Sequence, residues 1–295
     1  MTTETATDVF EEHRPVLMGV AYRMLGRVAD AEDVVQEAWL RWSGADRSDV
    51  REPRGYLVRI TTRLAIDRLR HVQSRNEAYV GPWLPEPYVT DYVDTVPDTA
   101  ERAVLADSVS LAVLVVLESL SPLERAVFVL REAFGYPFAE IAATLDRSES
   151  AVRQLAGRAR KHVDERRPRY EVDPAERRDL TERFLAAAVE GDLEGLMSLL
   201  APDVRLVGDS GGLSKAPLRI IESADKVGRF VYGAAKKGGI TDPSFRLLEV
   251  NGGIALLALS GDKPDSIFQL DVVDGQIQCI YIIRNPEKLT SLIAD

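Results

Sequence analysis

Arginines are the side chains of this sequence whose spacing points most directly to chemistry. Arg59, Arg63, Arg68 and Arg70 recur along PRGYLVRITTRLAIDRLR, with Arg51 and Arg54 at its entrance. A second row, Arg153, Arg158, Arg160 and Lys161, follows Arg147, with Glu149, Ser150 and Gln154 near its start. Rows of cations neutralise phosphates, and a single guanidinium can read guanine through paired hydrogen bonds. That is recognition chemistry and needs no covalent step. Candidates for covalent work are sparse. Asp203, Asp209 and Asp271 could act as general bases, but Asp203 follows Pro202 in a turn, Asp209 opens a glycine loop and Asp271 suits a solvent-facing position. The single cysteine, Cys279, excludes an internal disulfide and a multi-cysteine metal site. No histidine follows His162, which removes histidine acid–base chemistry from the C-terminal part. The sequence predicts no catalytic residue, no metal and no cofactor.

The elements that must position these cations read as helices. Pro53 sits where a helix can start, its missing N–H costing least there, and Leu57, Ile60, Leu64 and Leu69 mark a buried side. In LSPLERAVFVLREAFGYPFAEIAATLDRSESAVRQLAGRARKHV, Ser121 caps a helix that Gly135-Tyr136-Pro137 breaks. Phe138–Leu145 forms a short helix, Asp146-Arg147 turns, and Ser148 caps the next. This is a helix-turn-helix pattern, with an αα-hairpin carrying a basic face as the plain alternative. A recognition helix puts its N-terminal residues nearest the base edges, so Glu149, Ser150, Arg153 and Gln154 are candidate base contacts. Arg147, Arg158, Arg160 and Lys161 are candidate phosphate contacts. Further upstream, DAEDVVQEAWLRW places Val34, Val35, Ala38, Trp39 and Trp42 on one apolar stripe, with Asp30 as N-cap. Asp33, Gln36 and Glu37 share the opposite face. Either this ridge is a solvated helix surface or it meets another protein; on a DNA-binding chain an acidic face favours protein.

Helical periodicity covers residues 1–75, lapses over the proline-rich and acidic stretch 76–105, and returns over 106–168. From 175 to 295 one long helix pattern, RRDLTERFLAAAVEGDLEGLMSLL, precedes strand-like runs separated by Asn251-Gly252-Gly253 and Asp274-Gly275. The layout is two all-α modules and then an α+β module. Net charge is −10, yet residues 51–80 sum to +4 and 121–170 to +3. Two basic islands on an acidic chain suit a protein that holds DNA with a partner's help. The polar N-terminus and the lack of any long apolar run predict no membrane segment and a cytoplasmic location.

DAEDVVQEAWLRW resembles the core-binding helix of bacterial extracytoplasmic-function sigma factors. The resemblance implies that Asp33, Gln36, Glu37 and Trp39 face RNA polymerase, with the coiled coil of its largest subunit and the flap as docking points. It implies that the first basic helix melts and reads the downstream (−10) promoter element through Arg54, Tyr56, Arg59, Arg63, Arg68 and Arg70. Tyr56 stands where many relatives carry Trp, and Arg63 where many carry Asn. The helix-turn-helix resembles the region that reads the upstream (−35) element. GPWLPEP and Asn285-Pro286-Glu287-Lys288-Leu289 are similar to motifs of one subgroup, which carries a fused SnoaL-like C-terminal domain and lacks a separate anti-sigma factor. Asp209 to Lys215 matches its glycine-rich motif loosely. That resemblance implies regulatory contacts at Trp83, Pro85, Asp209, Lys215, Asn285, Pro286 and Lys288, and a SnoaL-like cone at 175–295. The rival expectation is a conventional DNA-binding repressor or sensor with a ligand-binding or enzymatic cone. Such a protein would bind duplex DNA alone.

Overall fold

The computed structural model describes residues 5–76, 79–89, 110–165, 173–237 and 240–292, and for 72–76, 174 and 291 the backbone alone. The chain divides into two compact units. The first contains α1 (Ala6–Leu25), α2 (Val28–Gly44), α3 (Pro53–Asn76), α4 (Leu111–Leu117) from Val113 onward, α5 (Pro122–Phe128), α6 (Phe138–Leu145) and α7 (Glu149–Asp164). Local chemistry sets most of these ends. Thr5 and Asp8 close a capping box at the start of α1, and Gly26 ends it at φ 68°, in the left-handed region. Ser121 and Glu124 form a second box ahead of Pro122, and Ser148 accepts from the Ala151 N–H.

Asp30 departs from expectation. The α2 helix begins at Val28, and Asp30 lies buried in its first turn rather than at the cap. Its Oδ1 accepts from Arg68 Nη2 at 2.6 Å, a partner on α3 that no local pattern reveals. Phe10, Leu17, Val20, Val34, Ala38, Trp42, Leu57 and Leu64 belong to one core that continues into Val127, Leu130, Ile141 and Val152. Arg125, 1% exposed, crosses between the modules and donates to the Met24 carbonyl at 2.8 Å. Between α5 and the Gly135 break the chain widens into a π-helical turn, Val129–Ala133.

The second unit contains residues 79–89 and 110–112 together with everything described from residue 173 onward. The expected single long helix is two: Gly191 (φ 70°) ends α8 (Pro174–Glu190), and Asp192 caps α9 (Leu193–Leu199). Six strands follow: β1 (Leu200–Asp209), β2 (Ile221–Glu222), β3 (Pro243–Val250), β4 (Gly253–Ser260), β5 (Lys263–Val273) and β6 (Gln276–Ile283). They form one sheet in the order β2-β1-β6-β5-β4-β3, with β1 parallel to β6 and every other pair antiparallel. Asn251 and Gly252 (φ 52° and 64°) and Asp274 and Gly275 (φ 50° and 72°) supply the positive φ that tight hairpins with right-handed twist require. A helix that the strand-like texture did not announce, α10 (Ala224–Lys236), joins α8 and α9. Leu180, Phe184, Leu196 and Val227 from these helices cover Leu206, Leu270, Ile280 and Ile282 on one sheet face. This is the α+β arrangement expected of a SnoaL-like domain.

Of the proline-rich stretch 76–105, residues 77–78 and 90–105 lie outside the described residues, as do 106–109 and 166–168 of the second helical module. Residues 79–89 are folded onto the C-terminal unit and are not a solvated tether: Leu84 is 1% exposed and Val89 bridges Val250.

Candidate nucleic-acid and polymerase interface

On α2 the stripe Ala31, Val34, Val35, Ala38 and Trp42 is buried, which turns Asp33, Gln36 and Glu37 outward. Glu37 pairs only at the surface, with Arg41 at 2.7 Å. Asp33 is less free, because Arg68 Nη2 reaches it at 3.0 Å while also holding Asp30. Trp39 is half-buried and packs edge-on against Phe10, with ring centroids 5.1 Å apart, so it shapes the ridge more than it projects from it. Leu40, 62% exposed, stands beside Gln36 and Glu37 and was missed by sequence reasoning. The signal was an apolar residue out of phase with the stripe.

On α3, Arg54, Arg59, Arg63 and Arg70 are exposed. Tyr56 is half-buried against Trp42, at 5.8 Å between centroids. Arg68 is the exception in this row, since its guanidinium ties α3 to α2 and its pKa is raised by the Asp30 hydrogen bond first. Arg63 Nε donates to the Thr144 carbonyl at the end of α6, at 2.8 Å. Arg63, Arg70, Arg147 and the apolar Ile66, Leu123 and Leu145 line an open cleft of about 270 Å³ within the first unit.

On α7, Val152, Ala156, Ala159 and Val163 are buried, so Glu149, Ser150, Arg153, Gln154, Arg158, Arg160 and Lys161 fall on the exposed side. Exposed does not mean unpaired. Arg153 is held by Glu149, Arg158 lies 3.4 Å from Glu124, and Arg160 lies 2.6 Å from Glu132, whose hydrogen bond raises its pKa. Ser150 Oγ contacts Ser148 Oγ at 3.0 Å, and Arg147 donates to the Asp146 carbonyl. Each of these arginine pairings restricts the orientations open to its guanidinium.

The C-terminal unit gathers a different set. Lys288, 2% exposed, donates from Nζ to Asp209 Oδ2 at 2.7 Å and to the Leu84 carbonyl. Its ammonium also lies 4.0 Å from the Trp83 ring centroid. Asp209, fully buried, accepts from the Leu84 N–H at 2.7 Å and from the Tyr79 hydroxyl at 2.6 Å. Asn285 Nδ2 donates to that hydroxyl at 2.7 Å, while its Oδ1 accepts from Glu287 N–H where Pro286 opens a 3-10 turn. Trp83, Asp209, Asn285 and Lys288 thus come together, with Pro85 buried in the same segment and Pro286, itself exposed, opening the turn that carries Lys288. The Lys215 side chain does not join them; it is exposed, and only its carbonyl is used, accepting from Arg284 at 2.9 Å. Tyr79 was missed, because one aromatic ahead of a proline-rich run carries no periodic signal.

The candidate bases are dispersed. Asp203 is exposed, Asp209 is spent on Lys288, and Asp271 is half-buried on β5. Among the described residues no group of three His, Cys, Asp or Glu side chains could hold a metal ion, and no helix is long and apolar enough to cross a membrane.

A capped helix-turn-helix with an exposed basic row, joined in one core to a three-helix module with an acidic ridge, defines a promoter-recognition protein. Comparison with known proteins agrees. Residues 9–75 match sigma-70 region 2, and residues 110–163 match sigma-70 region 4. The ECF RNA polymerase sigma factor SigJ of Mycobacterium tuberculosis is 41% identical over 293 residues, 95% of this chain and 92% of SigJ. The crystal structure of SigJ superposes with a TM-score of 0.77 at 39% identity, covering 96% of this chain and 97% of that one. A further relative from that organism, the ECF RNA polymerase sigma factor SigG, is 32% identical over 224 residues, 65% of this chain and 58% of SigG. The chain belongs to the extracytoplasmic-function RNA polymerase sigma factors, proteins that act with core polymerase on promoter DNA.

Proposed function

We propose that this sigma factor docks on core polymerase through Asp33, Gln36, Glu37 and the adjoining Leu40, with Trp39 supporting that surface. On this reading Arg54, Tyr56, Arg59, Arg63 and Arg70 engage the downstream element, melted bases being held by cations and flat groups. Arg153 and Gln154 read the upstream element, and Arg147, Arg158, Arg160 and Lys161 hold its phosphates. The protein works in the cytoplasm, where polymerase and promoters are.

Its C-terminal domain regulates it from within the chain, without a separate anti-sigma factor. The observation that carries this is the buried node at Lys288. Segments far apart in sequence meet there: the Lys288 ammonium joins Asp209 and the Trp83 ring, and Asn285 joins the same node through the Tyr79 hydroxyl that Asp209 accepts from. Removing a partner from a charge buried that deeply is costly, so the node couples residues 79–89 to the end of β1 and to the 3-10 turn that follows β6. The test is transcription from the cognate promoter by core polymerase reconstituted with the full-length chain, with Asn285→Ala, or with a chain lacking 175–295. Promoter activity should differ among the three. Equal activity would leave the C-terminal domain without a regulatory role, and failure of the full-length chain to direct any initiation would remove the sigma reading.

A further inference from the structure

An exposed arginine is a poor reader of bases unless something holds it. The Arg153 side chain is 60% exposed, and arginine carries large rotamer entropy that is lost on binding. Two groups already restrict it. Glu149, one turn earlier on α7, accepts a hydrogen bond from Nη2. The guanidinium carbon also lies over the Phe138 ring, 4.6 Å from its centroid. Phe138 is the first residue of α6, so the stack crosses from one helix of the motif to the other. The ring is itself anchored. Phe138 is half-buried against the helical core, and the Arg131 guanidinium lies over the same ring at 4.6 Å while donating to the Tyr136 carbonyl.

We propose that Phe138 is a positioning residue for promoter readout, holding the Arg153 guanidinium in the orientation that pairs with O6 and N7 of a guanine in the upstream element. The inference rests on the base-contact role proposed for Arg153. Its chemistry is a division of surfaces. Stacking uses the face of the guanidinium, whereas guanine recognition uses the N–H groups along its edge, so the ring orients the group without consuming its donors. Glu149 takes one Nη2 hydrogen and leaves the others for the base. Phe138 therefore contributes to specificity without touching DNA.

The experiment measures discrimination among base substitutions in the upstream element, using the full-length protein as holoenzyme with core polymerase. Arg153→Ala should abolish the preference at one base pair, by about ten-fold or more for a bidentate contact. Phe138→Leu keeps an apolar group against the core and removes the ring's quadrupole. It should narrow discrimination at that same base pair by about two- to five-fold, the weight of one exposed cation–π contact. Phe138→Tyr and Phe138→Trp should preserve it. Melting temperature is recorded for every variant, so that discrimination can be ranked against aromaticity and against stability. Discrimination that follows stability, or a Phe138→Leu profile identical to wild type while Arg153→Ala loses its preference, would overturn the inference and leave the Arg153 reading standing. If Arg153→Ala weakens all sequences alike, the Arg153 reading itself fails and takes the inference with it.

Discussion

Lys288→Met is the substitution that probes the C-terminal node most sharply. Methionine keeps most of the volume and apolar stem of lysine while deleting the ammonium. Removal of that group leaves Asp209, fully buried, with hydrogen bonds from the Leu84 N–H and the Tyr79 hydroxyl but no cation, and takes from the Leu84 carbonyl its bond to the ammonium. Breaking a buried pair from one side costs about 3–5 kcal/mol, because the remaining charge is uncompensated. Loss of the Trp83 contact adds up to about 2 kcal/mol for a desolvated cation–π pair. The double variant Asp209→Asn with Lys288→Met should be less damaging than the sum of its single changes, since it leaves no lone charge inside. Urea titration of the full-length protein, with hydrogen exchange of the β1 and β6 amides as readout, isolates the C-terminal unit from the helical one. A Lys288→Met variant within about 1 kcal/mol of wild type, or a double variant as costly as the sum, would refute this account of the node.

Other outcomes follow from the two surfaces and the sheet. Glu37→Arg should weaken binding to core polymerase about ten-fold or more without lowering the melting temperature, since among the described residues Glu37 pairs with Arg41 alone, at the surface, and like charges at a contact face repel; surface plasmon resonance against immobilised core enzyme measures it. Arg160→Ala should weaken holoenzyme binding to every promoter alike and reduce the salt slope by about one, as for any lost phosphate contact. Burial pushes the Cys279 thiol from an ordinary value near 9 up to about 12. The folded protein should therefore resist a thiol reagent at pH 8 and react fully in urea. The proton is held more tightly in the folded state, so this group's contribution to stability is full below about 9 and is lost as pH climbs from 9 toward 12.

The helix-turn-helix was legible almost to the residue because its punctuation is local. Ser121, Gly135, Asp146 and Ser148 each act through their own backbone or that of residues three or four positions away. The hairpins at Asn251 and Asp274 were legible for the same reason. What escaped depends on partners distant in sequence. Asp30 reads as a cap until Arg68, 38 residues on, claims it. Tyr79 enters the node only because Asp209 lies 130 residues away and Asn285 lies 206 away. Lys215 was expected among the regulatory contacts on motif grounds, but the loop turns its side chain outward and uses its carbonyl. Helix α10 was hidden because its apolar face is short and interrupted by Gly228 and Gly233, which weaken a helical signal without preventing the helix.

Residues 79–89 make the C-terminal domain more than an appendage at the end of the chain, because part of its fold precedes the helix-turn-helix in sequence. They hand Leu84, Pro85 and Glu86 to the interior of the C-terminal domain, and Leu84 above all loses its apolar cover once that interior is gone. A nonsense mutation after the helix-turn-helix would strip the cover from this segment, and for Leu84 alone the exposure costs about 2 kcal/mol. The truncated protein would be a sigma factor with an apolar strap left uncovered. The segment and the domain that covers it form one compact unit, so truncation at residue 175 removes the domain but leaves behind a part of its own fold.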